Sequence, residues 1–216
     1  MYFTQLQVTG EDFVGLLGIA SDTYAILARN FPGQEVLGVP TLKTRIYGTG
    51  LVGLFLAGNS KGVLLPYLIS DEEVEKIRGF LEPLGVAVGV VGGEYTALGN
   101  MVAANDHGAI VSPAISDVKT IRKTLSVPVV QTNLGVHEDV GAAVSATNRG
   151  FLAHPDLEGE LKTIEETLKV KGACTTVNFG SPYVKAGVIA NSKGYITGLR
   201  TSGIEMGRID DALNFS

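Results

Sequence analysis

The side chains best equipped for nucleophilic or metal chemistry in this sequence are its single Cys and its three His, at 174, 107, 137 and 154. A Cys thiolate beside an imidazole would attack an electrophilic carbon. Clustered His and Cys would hold zinc. The spacing supports neither. The His residues form no H-E-x-x-H pattern, and Cys174 has no C-x-x-C partner. Cys174 lies in the β-branched run ACTTV, which reads as a buried strand, and a buried Cys is ordinarily a small packing residue. His107 falls in a turn and His154 just before a helix, so both are expected to face solvent. The expectation is no catalytic residue, no metal and no cofactor.

Two glycine patterns look chemical. Gly48, Gly50 and Gly53 spell G-x-G-x-x-G, with Asp71 about twenty residues on. A dinucleotide fingerprint must open a helix that receives the pyrophosphate. The residues that follow, LFLAGN, read as a strand. Gly58, Ser60 and Gly62 spell G-x-S-x-G, but a nucleophile elbow needs a helix after it, and VLLP follows. The acidic run Asp71, Glu72, Glu73 and Glu75 suits a helix N-terminus.

The elements around these residues repeat along the chain. A small-apolar strand, then Asn-x-x-Gly, then an apolar strand recurs in LFLAGNSKGVLLP, MVAANDHGAIVSP and AGVIANSKGYITG, and AVSATNRGFLAHP has Thr in place of Asn. LGIASDTYAIL is a weaker first copy, with Asp22 and Ala25 at the matching places. The turns begin near 22, 59, 105, 147 and 191. Asn hydrogen-bonds its own backbone, and Gly is expected to take positive φ, so each turn predicts a hairpin.

Helices follow. Ser70 with Glu73, and Ser202 with Glu205, make capping boxes. The apolar positions 74, 77, 81 and 84, then 118, 121 and 125, then 157, 161, 164 and 168, keep helical spacing. Strands VAVGVV, VPVVQT and VKGACTTV come next, and the first copy has only the loop NFPGQEVLGVP where a helix would be. The unit is strand–turn–strand–helix–strand, an α/β class. Neither terminus reads as the polar cap of an open array. One domain over 1–216, its five copies closed into a pseudosymmetric ring, is the architecture expected.

Composition narrows the partners. Lys and Arg number 17 against 22 Asp and Glu, a net charge of −5, with no basic run. A phosphate-gripping protein needs clustered cations. Little direct nucleic-acid binding is expected, and a basic protein is the better electrostatic match. One Cys, no signal-peptide build in MYFTQLQ and no apolar run of membrane-spanning length lead to the expectation of a cytoplasmic, soluble monomer.

The stretches TALGNMVAANDHGAIVSP, VGAAVSATNRGFLAHP, TTVNFGSPYVKAGVIANSKG and NSKGVLLP resemble the translation initiation factor 6 family, in the order that family has them. With no acidic or Ser-rich tail after Phe215, the chain is similar to the archaeal form. The resemblance implies a pentein fold, a five-bladed α/β propeller ring. It also implies a factor that binds the large ribosomal subunit, chiefly large-subunit protein 14 near the sarcin–ricin loop, and blocks joining of the small subunit. Penteins also include guanidine-modifying enzymes with a Cys nucleophile. Such an enzyme using Cys174, or another pentein binding scaffold, is the alternative.

A ring would gather the turn tips in one layer, and binding residues favour loops on a rigid scaffold. The candidate ribosome-binding residues are Asn59, Ser60, Lys61, Asn105, Asp106, Asn148, Arg149, Asn191 and Lys193, with Asn100 of the ALGN motif expected near the same face.

Overall fold

Each Asn-x-x-Gly turn joins two antiparallel strands, and the strand after the helix returns parallel to the second. In the computed structural model, which describes residues 1–215, this pattern gives five three-stranded sheets. The chain begins with β1 (Phe3–Leu6). The first unit then has β2 (Gly18–Ala20), β3 (Ala25–Ala28) and β4 (Thr41–Thr44). The second has α1 (Val52–Phe55), β5 (Ala57–Asn59), β6 (Gly62–Pro66), α2 (Asp71–Leu81) and β7 (Ala87–Val91). The third has α3 (Leu98–Met101), β8 (Val102–Ala104), β9 (Ala109–Val111), α4 (Val118–Leu125) and β10 (Val129–Gln131). The fourth has α5 (Val140–Ala143), β11 (Val144–Ala146), β12 (Phe151–Ala153), α6 (Leu161–Leu168) and β13 (Gly172–Cys174). The fifth has α7 (Val184–Gly187), β14 (Val188–Ala190), β15 (Tyr195–Gly198) and α8 (Gly203–Ala212). These repeated sheet-and-helix units make a pentein-like repeat fold.

Among the described residues no strand follows α8. Its unit is completed by β1, which pairs parallel with β15, Phe3 opposite Tyr195 and Leu6 opposite Gly198. The two ends of the sequence therefore share one sheet, and Tyr2 stacks on Phe215 at 5.2 Å between ring centres.

Both capping boxes form: Ser70 Oγ accepts from the Glu73 N–H, and Ser202 Oγ from the Glu205 N–H. Most positions of the sequence pattern are buried: Val74, Ile77 and Leu81, then Ile121 and Leu125, then Ile164 and Leu168. Val118 and Leu161 are half-buried, and Leu84, also half-buried, lies past α2 in a 3₁₀ turn, Glu82–Leu84. The segment before α6 differs from expectation. Pro155 opens a separate 3₁₀ turn, Pro155–Glu160, and the α-helix starts only at Leu161. In the first unit the expected loop holds a 3₁₀ turn, Gln34–Leu37, between Gly33 and Gly38, both at positive φ.

Two local readings need correction. LFLAGN is not all strand: Val52–Phe55 forms one helical turn before β5. Gly53 within it faces the Gly15 carbonyl, Gly99 of α3 faces the Gly53 carbonyl, and a Cβ at either position would collide with that backbone. Gly53 and Gly99 thus serve contact between helical turns. The turn glycines Gly62, Gly108, Gly150 and Gly194 are not at positive φ either. A Cβ on each would collide with the carbonyl of Thr124, Thr167, Ala212 and Tyr2 respectively. Close approach, rather than backbone handedness, requires Gly there.

Candidate functional site

The hairpin turns hold most of the sequence-predicted site residues, and their geometry is nearly repeated. Asn105 Oδ1 accepts from the His107 and Gly108 N–H groups at 3.0 and 3.1 Å. Its Nδ2 donates to the Thr147 carbonyl in the next turn and to the Leu168 carbonyl at the end of α6, at 3.0 and 2.9 Å. Asn59 does the same toward Asn105 and Leu125. Asn191 does so toward Ser21 and Leu37. All three Asn residues are buried. Thr147 and Ser21 keep the local turn bonds through their hydroxyls but have no amide to reach onward. Ser21, not Asp22, is therefore the first-unit equivalent of Asn59, and Tyr24 stands where the other turns have Gly.

The residues one step further link turn to turn. The Ser192 N–H donates to Asp22 Oδ1, the Asp22 N–H to Ser60 Oγ, the Ser60 N–H to Asp106 Oδ1 and the Asp106 N–H to Asn148 Oδ1. Asn148 Nδ2 donates to both Asp22 and Asp106, at 2.8 and 2.6 Å. Arg149 donates to the Ser192 carbonyl. The long cations at the tips reach along the same layer. Lys61 Nζ donates to the Asp106 and Ser126 carbonyls, and Lys193 Nζ to that of Gly38. Arg149 also lies over the Phe215 ring, 5.0 Å from its centre. The structure thus brings together Asn59, Ser60, Lys61, Asn105, Asp106, Asn148, Arg149, Asn191 and Lys193.

Asn100 is not with them. It lies in α3, before β8, while Asn105 follows β8, so the strand separates the two. The end of the strands that carries Asn100 differs in surface character. Tyr67 and Leu68 follow β6, Leu199 follows β15, and Val136, Phe179 and Tyr183 lie in the segments after β10 and β13. All are exposed, as is Ile204 of α8. Glu205 organises part of this end. Its carboxylate accepts from Ser202, Thr176, Phe179 and Gly180, the last at 2.8 Å. Burial alone would raise this acid, but those donors outweigh it and hold the pKa at about 2.

The chemistry-bearing side chains distribute unevenly. Cys174 is partly buried at the end of β13, and burial, then the neighbouring Glu158 carboxylate, pushes its thiol up to about 11. That is the reverse of an activated nucleophile. His107 is exposed. His154, expected at the surface, is buried, because its Nδ1 accepts the Asp156 N–H as the cap of the 3₁₀ turn. Its ring lies 4.4 Å from that of His137, a pairing that the sequence separation of these residues conceals. Lys185 of α7 also escaped notice. It lines a cavity of about 30 Å³ among the first strands, with Ala20, Ala57, Ala104, Ala146 and Ala190. Burial lowers its pKa to about 8.

Comparison with known proteins decides the family. The eIF-6 family profile matches residues 3–212. The chain belongs to the eIF-6 family. It is 36% identical over 215 residues to translation initiation factor 6 of Haloquadratum walsbyi, covering 95% of this chain and 94% of the relative. The corresponding factor of Methanosphaerula palustris is 38% identical over 185 residues, 84% of this chain and 81% of its own. That of Pyrococcus horikoshii is 31% identical over the full length of both. As an eIF-6 family member, the chain has Asn100 and the turn residues in a translation factor, not in an enzyme. No described helix is long and apolar enough to cross a membrane.

Proposed function

We propose that this protein binds the large ribosomal subunit and, by occupying its intersubunit surface, keeps the small subunit from joining. The family match across residues 3–212 carries the reading. The activity is steric, so it requires a stable footprint and no bond chemistry. Stable interfaces bury on the order of 1,200–2,000 Å². The scaffold for that footprint is a single pentein domain, its five units closed into a ring. This is supported by the hydrogen bonds running from turn to turn through Asp22, Ser60, Asp106, Asn148 and Ser192, and by β1 completing the last sheet.

The partner proposed is large-subunit protein 14 beside the sarcin–ricin loop, and the docking face is the one that carries Asn100, not the turn tips. Exposure favours this choice. Asn59, Asn105 and Asn191 of the turns are buried and spend their hydrogen bonds within the protein, whereas Leu68, Val136, Phe179 and Ile204 are exposed at the other end. Apolar and aromatic side chains are the usual anchors of a protein interface.

The test is co-sedimentation with purified large subunits, followed by addition of small subunits. Asn100→Glu and Leu68→Glu are expected to weaken binding at least tenfold and restore subunit joining. Lys61→Ala, His107→Glu at the tips and the helix variant Lys162→Glu should bind as the wild type does. Retained binding by the first pair and loss by the tip variants would move the interface to the turns. No binding by the wild type would end the functional reading itself.

A further inference from the structure

We propose that His137, His154 and Asp156 form a binding site for a divalent transition-metal ion, zinc being the first choice. One ligand atom from each residue lies within 4.8 Å of the other two. His137 is buried, and its Nε2 has no hydrogen-bond partner among the described residues. A buried ring nitrogen without a partner forfeits its hydration, so a bound ion would satisfy it. The Asp139 carboxylate stands 3.6 Å from His137 Nδ1. A carboxylate there favours the proton on Nδ1 and leaves the lone pair of Nε2 for a metal, the usual support for a ligating imidazole.

His154 Nδ1 is unprotonated, but its lone pair accepts the Asp156 N–H, so ligation by that atom would exchange this hydrogen bond for the ion; the Asp156 carboxylate is 3.8 Å from it. Ligand atoms of a tetrahedral zinc are about 3.3 Å apart, given bonds of about 2.0 Å. Closing the site takes release of the Asp156 N–H from His154 Nδ1 and movement of the Asp156 carboxylate, whose side chain is largely exposed and also gives the ion access from solvent. Two imidazoles and a carboxylate are a borderline donor set that suits zinc better than calcium or magnesium. A bound ion would join the segment after β10 to the segment after β12, tying the third unit to the fourth.

The experiment titrates metal-stripped full-length protein with zinc against a chromophoric chelator. One equivalent is expected to bind at micromolar affinity or tighter. The double variant His137→Gln/His154→Gln should lose at least about a hundredfold in affinity, and Asp156→Asn about tenfold, the range typical for disturbing a metal site. Cys174→Ala and His107→Gln should bind as the wild type does. Since the two His residues are buried, Asp156→Asn and NMR of the wild-type imidazoles provide tests that do not strain the fold. Zinc should shift the His137 and His154 resonances and leave those of His107 in place. Absence of one-equivalent binding, retention of it in the double His variant, or its loss in Cys174→Ala would overturn the proposal.

Discussion

The side-chain amide of Asn105 and the carbonyl of Leu168, the last residue of α6, are joined by a 2.9 Å hydrogen bond that crosses from the third unit to the fourth. The same amide holds the next turn through the Thr147 carbonyl. One buried residue therefore fixes its own hairpin, the neighbouring hairpin and a helix end. Asn105→Ala would leave two backbone donors and two carbonyls without that partner. Each such buried group costs about 1–3 kcal/mol, with part recovered by relaxation. A loss of about 3–4 kcal/mol in urea unfolding is expected, against less than about 0.5 kcal/mol for exposed Lys162→Ala.

Gly150 provides a second stability test, based on space. Its position against the Ala212 carbonyl leaves no room for a Cβ, and its φ is not positive. Gly150→Ala should therefore destabilise by about 1–3 kcal/mol through displacement of α8, in the range of overpacking substitutions. At Gly79 of α2 no atom lies within reach of an added Cβ. Gly79→Ala should stabilise slightly, by about 0.5–1 kcal/mol, because Ala has the better helix propensity. Equal effects at the two positions would disprove the close-approach account.

Glu205 sets an acid limit. Its carboxyl is held at about 2 in the folded protein, below an unfolded value of about 4.3. A depressed carboxyl contributes stability that is complete above the unfolded pKa and is lost as pH falls toward the folded one. Wild type is thus expected to be more stable than Glu205→Gln at pH 7, with the gap narrowing between about pH 4.5 and 2. Urea midpoints for both proteins across that range measure it. A gap independent of pH would show that the carboxylate charge is not what holds the Thr176–Gly180 segment.

The repeat and its turns were legible because a turn Asn, a close-packed Gly and a capping Ser–Glu pair are local requirements written at fixed spacing. The fifth unit's third strand was not, since β1 meets β15 across nearly the whole chain and its residues, FTQL, say nothing of their partner. The reason for Gly62 and its equivalents was also hidden: positive φ is a property of a dipeptide, but contact with the Thr124 carbonyl depends on the helix of another unit. Asn59, Asn105 and Asn191 were expected as surface contacts, yet the same hydrogen-bonding capacity that makes them turn formers buries them. His137 and His154 belong to no spacing motif because tertiary structure, not a helix face, brings their rings together. Nothing in the sequence around Lys185 marks it, and only the small residues of five separate strands reveal the confined space around it.

That confinement gives the last prediction a sign that pH can check. Lys185 has no carboxylate partner among the described residues, and burial lowers its pKa from 10.5 to about 8. Between those values the unfolded chain binds a proton that the folded protein has released, so stability rises with pH. Below about 8 the ammonium is charged in both states and the desolvation cost is constant. Lys185→Met keeps the length of the side chain and removes the charge. It should be more stable than wild type at pH 7, by on the order of 1–3 kcal/mol, the upper end being the pKa difference expressed as free energy. The advantage should shrink as pH rises from about 8 to 10.5, because the wild type then sheds its proton while the variant has none to lose. Thermal or urea unfolding of both proteins at pH 7, 9 and 10.5 reads this directly. A Met variant less stable than wild type at pH 7 would mean that the ammonium is held by favourable contacts rather than merely tolerated in the cavity.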